Sequence, residues 1–152
     1  MPFSSTGTPP ESDAGGDRLL IVEVRGGLYG IDSACVREIV GLLDATRLPG
    51  APPHVRGVVN LRGQLLTVVD LGHRLTGTAE PTPNGTIVVV TSNEKTLGVV
   101  VGDVHDVQAL AVVPTEREVL ARANGLLTGV GRLGDEVVLV VDIPELVRQT
   151  LA

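Results

Sequence analysis

The sequence is poor in aromatic and sulfur-containing residues: it has no tryptophan, and one residue each of tyrosine, phenylalanine, methionine and cysteine. The shortage of aromatic rings counts against a stacking platform for single-stranded nucleic acid. The formal net charge of −6 argues against a basic face for nucleic acid or for an anionic membrane surface. Because Cys35 has no second cysteine to pair with, an internal disulfide is excluded, which suits a reducing compartment.

Long apolar runs are also missing from the sequence. Stretches such as residues 87–90 are far too short to span a bilayer. The first 17 residues, MPFSSTGTPPESDAGGD, contain neither the basic nor the apolar region of a secretory signal. We therefore expect a soluble, cytoplasmic protein with no direct membrane insertion. Residues 1–17, which are rich in Pro, Ser, Thr and Gly, are predicted to form a disordered tail.

Residues suited to catalysis are few. P-loop and GxSxG motifs are absent, and His54, His73 and His105 are not spaced as metal ligands. One enzymatic alternative is that Asp70 and Asp142 form the proton-sharing dyad of an aspartate-dependent hydrolase. The simpler interpretation is that each aspartate caps the element that follows its strand. We predict a non-enzymatic protein with no catalytic residue, no cofactor and no metal.

Valine, leucine and isoleucine supply most of the apolar residues, and this composition favours strands. Strands are predicted at residues 19–24, 28–31, 38–43, 55–61, 64–71, 86–91, 96–101, 104–112, 126–133 and 136–141. Helical segments are predicted at 33–36 with Ser33 as the cap, at 114–121 with Pro114 in the first turn, and at 144–150 with Asp142 as the cap. Residues 76–85 have the composition of a linker.

The two halves of the sequence resemble each other. Residues 57–61 and 65–71 match residues that lie 72 positions later, and Gly30 matches Gly98 more weakly, 68 positions later. Self-similarity over such distances indicates one structural unit used twice, here at roughly 18–75 and 86–150. Because sheets of about five short strands must close or pack against another layer, we expect two small β-barrels packed together.

Four segments in order resemble the family of CheW-type chemotaxis coupling proteins. Residues 55–71, VRGVVNLRGQLLTVVDL, are similar to the family's G-V-[IV]-N-L-R-G segment followed by an apolar strand and Asp-Leu. Further similar segments are residues 29–39, which contain YGID and VREI, residues 97–107 (LGVVVGDVHDV) and residues 128–133 (TGVGRL). The resemblance extends over residues 18–150, so these residues are predicted to form one CheW-like domain.

This resemblance implies a mainly β fold. The family has two five-stranded, SH3-like barrels around a shared hydrophobic core, with short helices and a C-terminal helix. It also implies a non-enzymatic adaptor that joins the cytoplasmic tip of chemoreceptors (methyl-accepting chemotaxis proteins) to the regulatory domain of a CheA-type histidine kinase. Such a protein is expected to be a monomer in isolation and to enter membrane-associated receptor arrays through its partners.

Three receptor-binding residues follow from the resemblance by position. Val36 and Glu38 match family positions linked to receptor contact, and Arg62 matches the arginine of the N-L-R-G motif. We expect Glu38 and Arg62 to form an ion pair across the first barrel that shapes the receptor groove, the alternative being two unrelated surface charges. Val99 and Val104 are assigned to the groove between the barrels, with a place in the core as the alternative.

Other positions are predicted to be structural, or depart from the family pattern. Gly57 and Gly63 are expected to occupy a bulge or a turn. Gln64, Gly72 and His73 differ from the residues common in the family, which leaves the identity of the partners open. The runner-up functions are a CheW-like adaptor of a non-chemotactic pathway (motility, development or second-messenger control) and a ligand-binding barrel pair, which needs a polar-lined pocket.

Overall fold

The computed structural model describes residues 17–79, 85–114 and 125–151. The described part of the chain is mainly β and includes two α-helices. The tail predicted at 1–17 lies outside the described residues except for Asp17, which is the first residue of a strand.

The elements of the first half are β1 (Asp17–Val24), β2 (Gly27–Asp32), a 3₁₀ turn (Ser33–Cys35), β3 (Val36–Gly41), β4 (Val55–Leu61), β5 (Gln64–Asp70) and α1 (Leu71–Thr76). Those of the second half are β6 (Thr86–Ser92), β7 (Lys95–Val101), β8 (Val104–Leu110), β9 (Val112–Pro114), β10 (Leu127–Leu133), β11 (Glu136–Val141) and α2 (Ile143–Leu151).

Most differences from the predicted elements lie at element ends. The cap of the 3₁₀ turn is Asp32, whose Oδ1 accepts a hydrogen bond from Ala34 N at 2.9 Å, so the prediction that Ser33 caps this turn is wrong by one residue. Leu71 begins α1 instead of ending β5. Pro114 ends β9 and pairs with Gly129, which is compatible with proline because β9 is an edge strand. The rest of the helix predicted at 114–121 lies outside the described residues.

The strands form two sheets, and each sheet contains strands from both halves of the chain. The order is β8-β1-β2-β11-β10-β9 in the six-stranded sheet and β3-β6-β7-β5-β4 in the five-stranded sheet. Within them, β2 pairs with β11 and β5 pairs with β7, both in parallel, while the other pairings are antiparallel. Neither sequence repeat therefore forms a sheet by itself.

Both sheets close in the same way: the chain that leaves one edge strand pairs with the strand at the other side of the sheet. In the six-stranded sheet, the chain passes through Ala111 from edge strand β8 to edge strand β9. In the five-stranded sheet, the segment after β3 brings Thr46 against Val58 of the other edge strand, and their backbones exchange two hydrogen bonds of 2.9 Å. Closure leaves few unpaired backbone groups at the edges, so each sheet becomes a small barrel.

Three apolar clusters fill the molecule, because successive strand residues point to opposite faces. In β6, Ile87 and Val89 belong to the interior of the five-stranded barrel, whereas Val88 and Val90 belong to a shared core. That shared core takes residues from both barrels and from both helices. A third cluster, which includes Leu19 and Val138, fills the six-stranded barrel.

Candidate protein-binding site

The turn between β4 and β5 presents Arg62 at its tip. Arg62 and Gly63 have φ values of 51° and 85°, the left-handed pair that favours a two-residue hairpin turn. Asn60 Oδ1 accepts a hydrogen bond of 2.8 Å from Gly63 N, which holds the turn from inside. Thus Asn60 and Gly63 of the N-L-R-G segment build the turn and Arg62 is its exposed side chain, with 66% of its surface accessible.

Glu38 and Arg62 form the ion pair that was expected from the sequence. Arg62 Nη2 donates to Glu38 Oε2, and the carboxylate is about one-third exposed. β3 and β4 are the two edge strands of the five-stranded sheet, so the pair links opposite edges of one barrel. A pair this exposed adds less than about 1 kcal/mol to the free energy of unfolding, and its main effect is to fix the orientation of the guanidinium.

A cleft of about 310 Å³, here called the Arg62 cleft, opens beside this pair. Polar and apolar side chains line it together: Arg37, Glu38, Leu61, Arg62, Gln64, Leu65, Leu66, Val89 and Thr96. Leu65 is 78% exposed, the largest exposure among the large apolar residues of the described chain. An exposed leucine beside an oriented guanidinium suits contact with another protein.

Leu65 is not among the residues predicted to bind the receptor, although the pattern of its strand places it at the surface. Leu66 and Val68 are buried in the barrel, so alternation along β5 places Leu65 on the outer face. An outward leucine next to the N-L-R-G turn is thus predictable from the strand pattern.

The three valines assigned to the receptor groove have different surroundings. Val99 is 0% exposed within the shared core, so its side chain offers no surface to a partner. Val36 and Val104 are partly buried and pack against the same core from its margin. These two stand at equivalent positions, at the first residues of β3 and β8.

Gly57 lies at a bulge in β4, where the register with β5 shifts between Val55 and Gly57. Its φ is 138°, and a Cβ on this residue would lie 2.1 Å from Thr46 O. Glycine is thus needed where the closing segment crosses β4. Gly63, by contrast, has open space around it and meets only the φ requirement of the turn.

Each aspartate of the suggested dyad caps the helix that follows it. Asp70 is 7% exposed; its Oδ1 accepts from His73 N at 3.1 Å, and its Oδ2 lies 3.0 Å from Arg56 Nη2. Asp142 Oδ1 accepts from Glu145 N at 3.0 Å. Within the described residues no hydrogen bond joins the two carboxylates, whereas a proton-sharing dyad requires one.

Cys35, the one thiol in the sequence, packs against the shared core. Burial, followed by the charges of Asp32 and Asp142, raises the pKa of the Cys35 thiol, which disfavours the nucleophilic thiolate. In residues 17–79, 85–114 and 125–151, no group of three or more His, Cys, Asp or Glu side chains is placed to hold a metal ion. The same residues contain no helix of the length and apolarity needed to cross a membrane.

The second barrel has a cleft at the position equivalent to the Arg62 cleft. This His105 cleft, of about 330 Å³, is lined by Ile21, Glu23, Gly26, Leu28, His105, Asp106, Gln108, Leu133 and Glu136. Six of these residues, Ile21, Leu28, His105, Asp106, Leu133 and Glu136, correspond to residues of the Arg62 cleft by the two repeat spacings. The two arginines are not kept, because His105 stands in place of Arg37 and Gly134 in place of Arg62. His105 Nε2 lies 2.7 Å from Glu23 Oε2, where the first barrel pairs Arg37 with Thr91 at 3.4 Å. One framework thus carries two clefts of different charge.

Comparisons with known proteins agree with this architecture. The CheW-like domain model matches residues 18–151. Chemotaxis protein CheW of Klebsiella aerogenes is 33% identical over 135 residues, which cover 86% of this chain and 81% of that protein. Chemotaxis protein CheW of Rhizobium meliloti is 38% identical over 94 residues, or 61% of each chain. The crystal structure of the scaffolding protein TtCheW from Thermoanaerobacter tengcongensis has the same fold, with a TM-score of 0.76, 23% identity, and coverage of 84% of this chain and 90% of that one.

Proposed function

Since this chain belongs to the CheW-like domain family, we propose that it is a non-enzymatic adaptor that couples chemoreceptors to a CheA-type histidine kinase in chemotaxis signalling. The protein would work in the cytoplasm, at membrane-associated receptor arrays that it joins through its partners. Its relatives in Klebsiella aerogenes and Rhizobium meliloti carry chemotaxis names, which supports this pathway over a non-chemotactic one.

The Arg62 cleft is the observation that carries the proposal. It combines an oriented guanidinium with the exposed Leu65 and with further apolar side chains. A helix from a receptor tip would place apolar side chains against Leu65 and polar ones against Arg62. Val36 and Val104, at the margin of the shared core, would extend the contact toward the seam between the barrels.

Coupling by such an adaptor is mechanical. The receptor and the kinase regulatory domain bind different surfaces of one rigid barrel pair. The complex of receptor, adaptor and kinase can take more than one arrangement. A receptor state that favours one of these arrangements shifts the population of the kinase toward the conformation that belongs to it. The adaptor contributes differential binding and no covalent step.

Binding assays with a receptor cytoplasmic fragment and a kinase regulatory domain test the proposal. Leu65→Ser and Arg62→Ala are expected to weaken receptor capture by roughly tenfold or more, because each removes a central contact. Glu38→Ala is expected to have a smaller effect in the same direction, because it only releases the guanidinium. The free energy of unfolding is expected to change by less than about 1 kcal/mol in each variant, since these side chains are exposed.

The six-stranded barrel supplies matched controls. Val137→Ser and Asp106→Ala change the residues equivalent to Leu65 and Glu38 on the other barrel, where Val137 is 50% exposed. Both variants are expected to capture the receptor as the unmodified protein does. Equal losses in the two barrels, or no loss in either, would contradict the assignment of the receptor to the Arg62 cleft. Failure to bind any kinase regulatory domain would contradict the adaptor function itself.

A further inference from the structure

A separate cavity of about 420 Å³, here called the Arg74 cavity, lies where three elements meet. It is lined by Pro53, His54, His73, Arg74, Gly77 and Gln149. The residues come from the segment before β4, from α1 and the residue that ends it, and from α2. The backbone at His54 is fixed, because its carbonyl oxygen accepts a hydrogen bond of 2.8 Å from Asp70 N. The chain carries three histidines, and two of them line this cavity.

Positive charge in the Arg74 cavity is not balanced by a carboxylate. The partly buried guanidinium of Arg74 donates to Gln149 Oε1, a neutral amide oxygen, and forms no ion pair within the described residues. The Asp70 carboxylate is engaged by Arg56 and by the backbone of His73. Glu145, which accepts a hydrogen bond of 2.7 Å from the Gln149 amide, is paired with Arg148.

His54 lines the same cavity, and one of its ring nitrogens has no hydrogen-bond partner in the described part of the chain. This nitrogen is Nε2, and it is buried. Buried polar atoms without a partner are uncommon in native proteins, and each one needs an explanation. Burial, followed by the charges of Arg74 and His73, lowers the pKa of His54. The surroundings of this imidazole are therefore electropositive, although the protein as a whole has a net charge of −6.

We propose that the Arg74 cavity binds a small tetrahedral oxyanion of the phosphate class, with Arg74 as the charged anchor and with His54 and His73 as further donors. A guanidinium forms paired hydrogen bonds with phosphate oxygens, and a neutral imidazole supplies one N–H donor. Three donors on two elements suit an anion with several acceptor oxygens better than a carboxylate with two. The proposal stands apart from the adaptor function, because its residues do not line the Arg62 cleft.

The test follows the imidazole signals of His54 and His73 by NMR during titration with inorganic phosphate, with sodium chloride at equal ionic strength as the reference. Saturable shifts of both imidazoles with phosphate alone are expected. A second titration uses phenyl phosphate. Shifts with both compounds indicate a site for a phosphoryl group carried by a larger molecule. Shifts with inorganic phosphate alone indicate a site for the free ion.

Matched arginine variants complete the test. Arg74→Gln is expected to weaken phosphate binding by about tenfold or more, because a charge-assisted pair of hydrogen bonds is lost. Arg132→Gln, the same substitution on the exposed face of β10, is expected to bind as the unmodified protein does. Arg74→Lys keeps the charge and is expected to bind phosphate with intermediate affinity. Its phosphate affinity tests the role of Arg74 even if Arg74→Gln folds poorly. Equal shifts with chloride and phosphate, or unchanged binding by Arg74→Gln, would overturn the proposal.

Discussion

Gly30 and Gly98 stand at equivalent positions of β2 and β7, and each is surrounded by side chains of a barrel interior. A Cβ on Gly30 would lie 2.9 Å from Leu19 Cδ1, and one on Gly98 would lie 3.1 Å from both Ile87 Cγ2 and Leu66 Cδ2. Because small barrels are filled by side chains from all around, a methyl group at either position would press on its neighbours. The glycine match between the halves therefore records a packing requirement.

Replacing Gly98 by alanine is expected to destabilise the protein by about 1–3 kcal/mol, because an overpacked core must shift its neighbours. Gly41→Ala is the control, since a Cβ on Gly41 meets nothing within 4 Å. Urea unfolding of the two variants gives the comparison. A Gly98→Ala variant as stable as Gly41→Ala would show that the barrel interior has unused space.

His54 is expected to titrate below 6.5 in the folded protein, because burial and the neighbouring Arg74 and His73 disfavour its protonated form. The unfolded chain then takes up this proton first as the pH falls. The contribution of His54 to the free energy of unfolding is therefore fully present above pH 6.5, and it declines as the pH falls below 6.5. NMR titration of the imidazole in chloride buffer measures the pKa.

Arg74→Gln is expected to raise the pKa of His54 without restoring it to 6.5, because burial, the larger cause, remains. No change in this variant would show that Arg74 does not act on His54.

At the scale of elements, the β4–β5 and β10–β11 hairpins repeat one another down to their irregularities. Each register shifts at the glycine near the start of the first strand, at Gly57 in one hairpin and at Gly129 in the other. A Cβ on Gly129 would lie 2.9 Å from Val113 O, just as one on Gly57 would meet Thr46 O. In both barrels the bulge makes room for the segment that closes the sheet.

Gly57→Ala is expected to lower the free energy of unfolding by at least about 2 kcal/mol, because the new methyl group combines an unfavourable φ with a clash against Thr46. Gly63→Ala separates the two causes. It also has a positive φ, of 85°, but open space around it, so its expected cost is about 1 kcal/mol. Thermal unfolding measures the loss of stability in each variant. Equal losses would mean that the closing segment at Thr46 moves freely away from the new methyl group.

At the scale of the whole molecule, the exchange of strands between halves makes the two barrels one cooperative unit. β2 pairs with β11 and β5 pairs with β7, so each half supplies strands to both sheets. The shared core takes residues from both sheets, Leu71 from α1 and Leu146 from α2. Neither barrel keeps its sheet if one half of the chain unfolds.

Unfolding is therefore expected to be a single two-state transition, monitored equally well in either barrel. Leu71→Ala, in the shared core, is expected to lower the stability of both barrels together by about 2–5 kcal/mol. Hydrogen exchange of β5 and β11 amides checks this, because the two sets should change by the same free energy. Separate transitions, or an effect confined to β5, would contradict it.

Local patterns in the sequence are enough to predict most of the strands, the hairpins and the two capping aspartates. Alternating valines, the Arg62-Gly63 turn and the aspartates after β5 and β11 act through neighbours within a few residues, so their effects are local and readable. The spacing of the repeat also indicated one unit used twice. The assignment of Arg62 follows from the family resemblance of the N-L-R-G segment, and the turn that displays this arginine is built from adjacent residues.

Only the folded structure shows which strands pair, which side chains are exposed beside one another, and which charged side chains lie close together. The parallel pairings of β2 with β11 and β5 with β7 join residues far apart in the chain, and no local pattern encodes them. Val99 became core, Leu65 became surface beside Arg62, and His54 came to lie near Arg74. The physical reason is that burial and electrostatic fields depend on distance in space, and only the packing of the two barrels sets that distance.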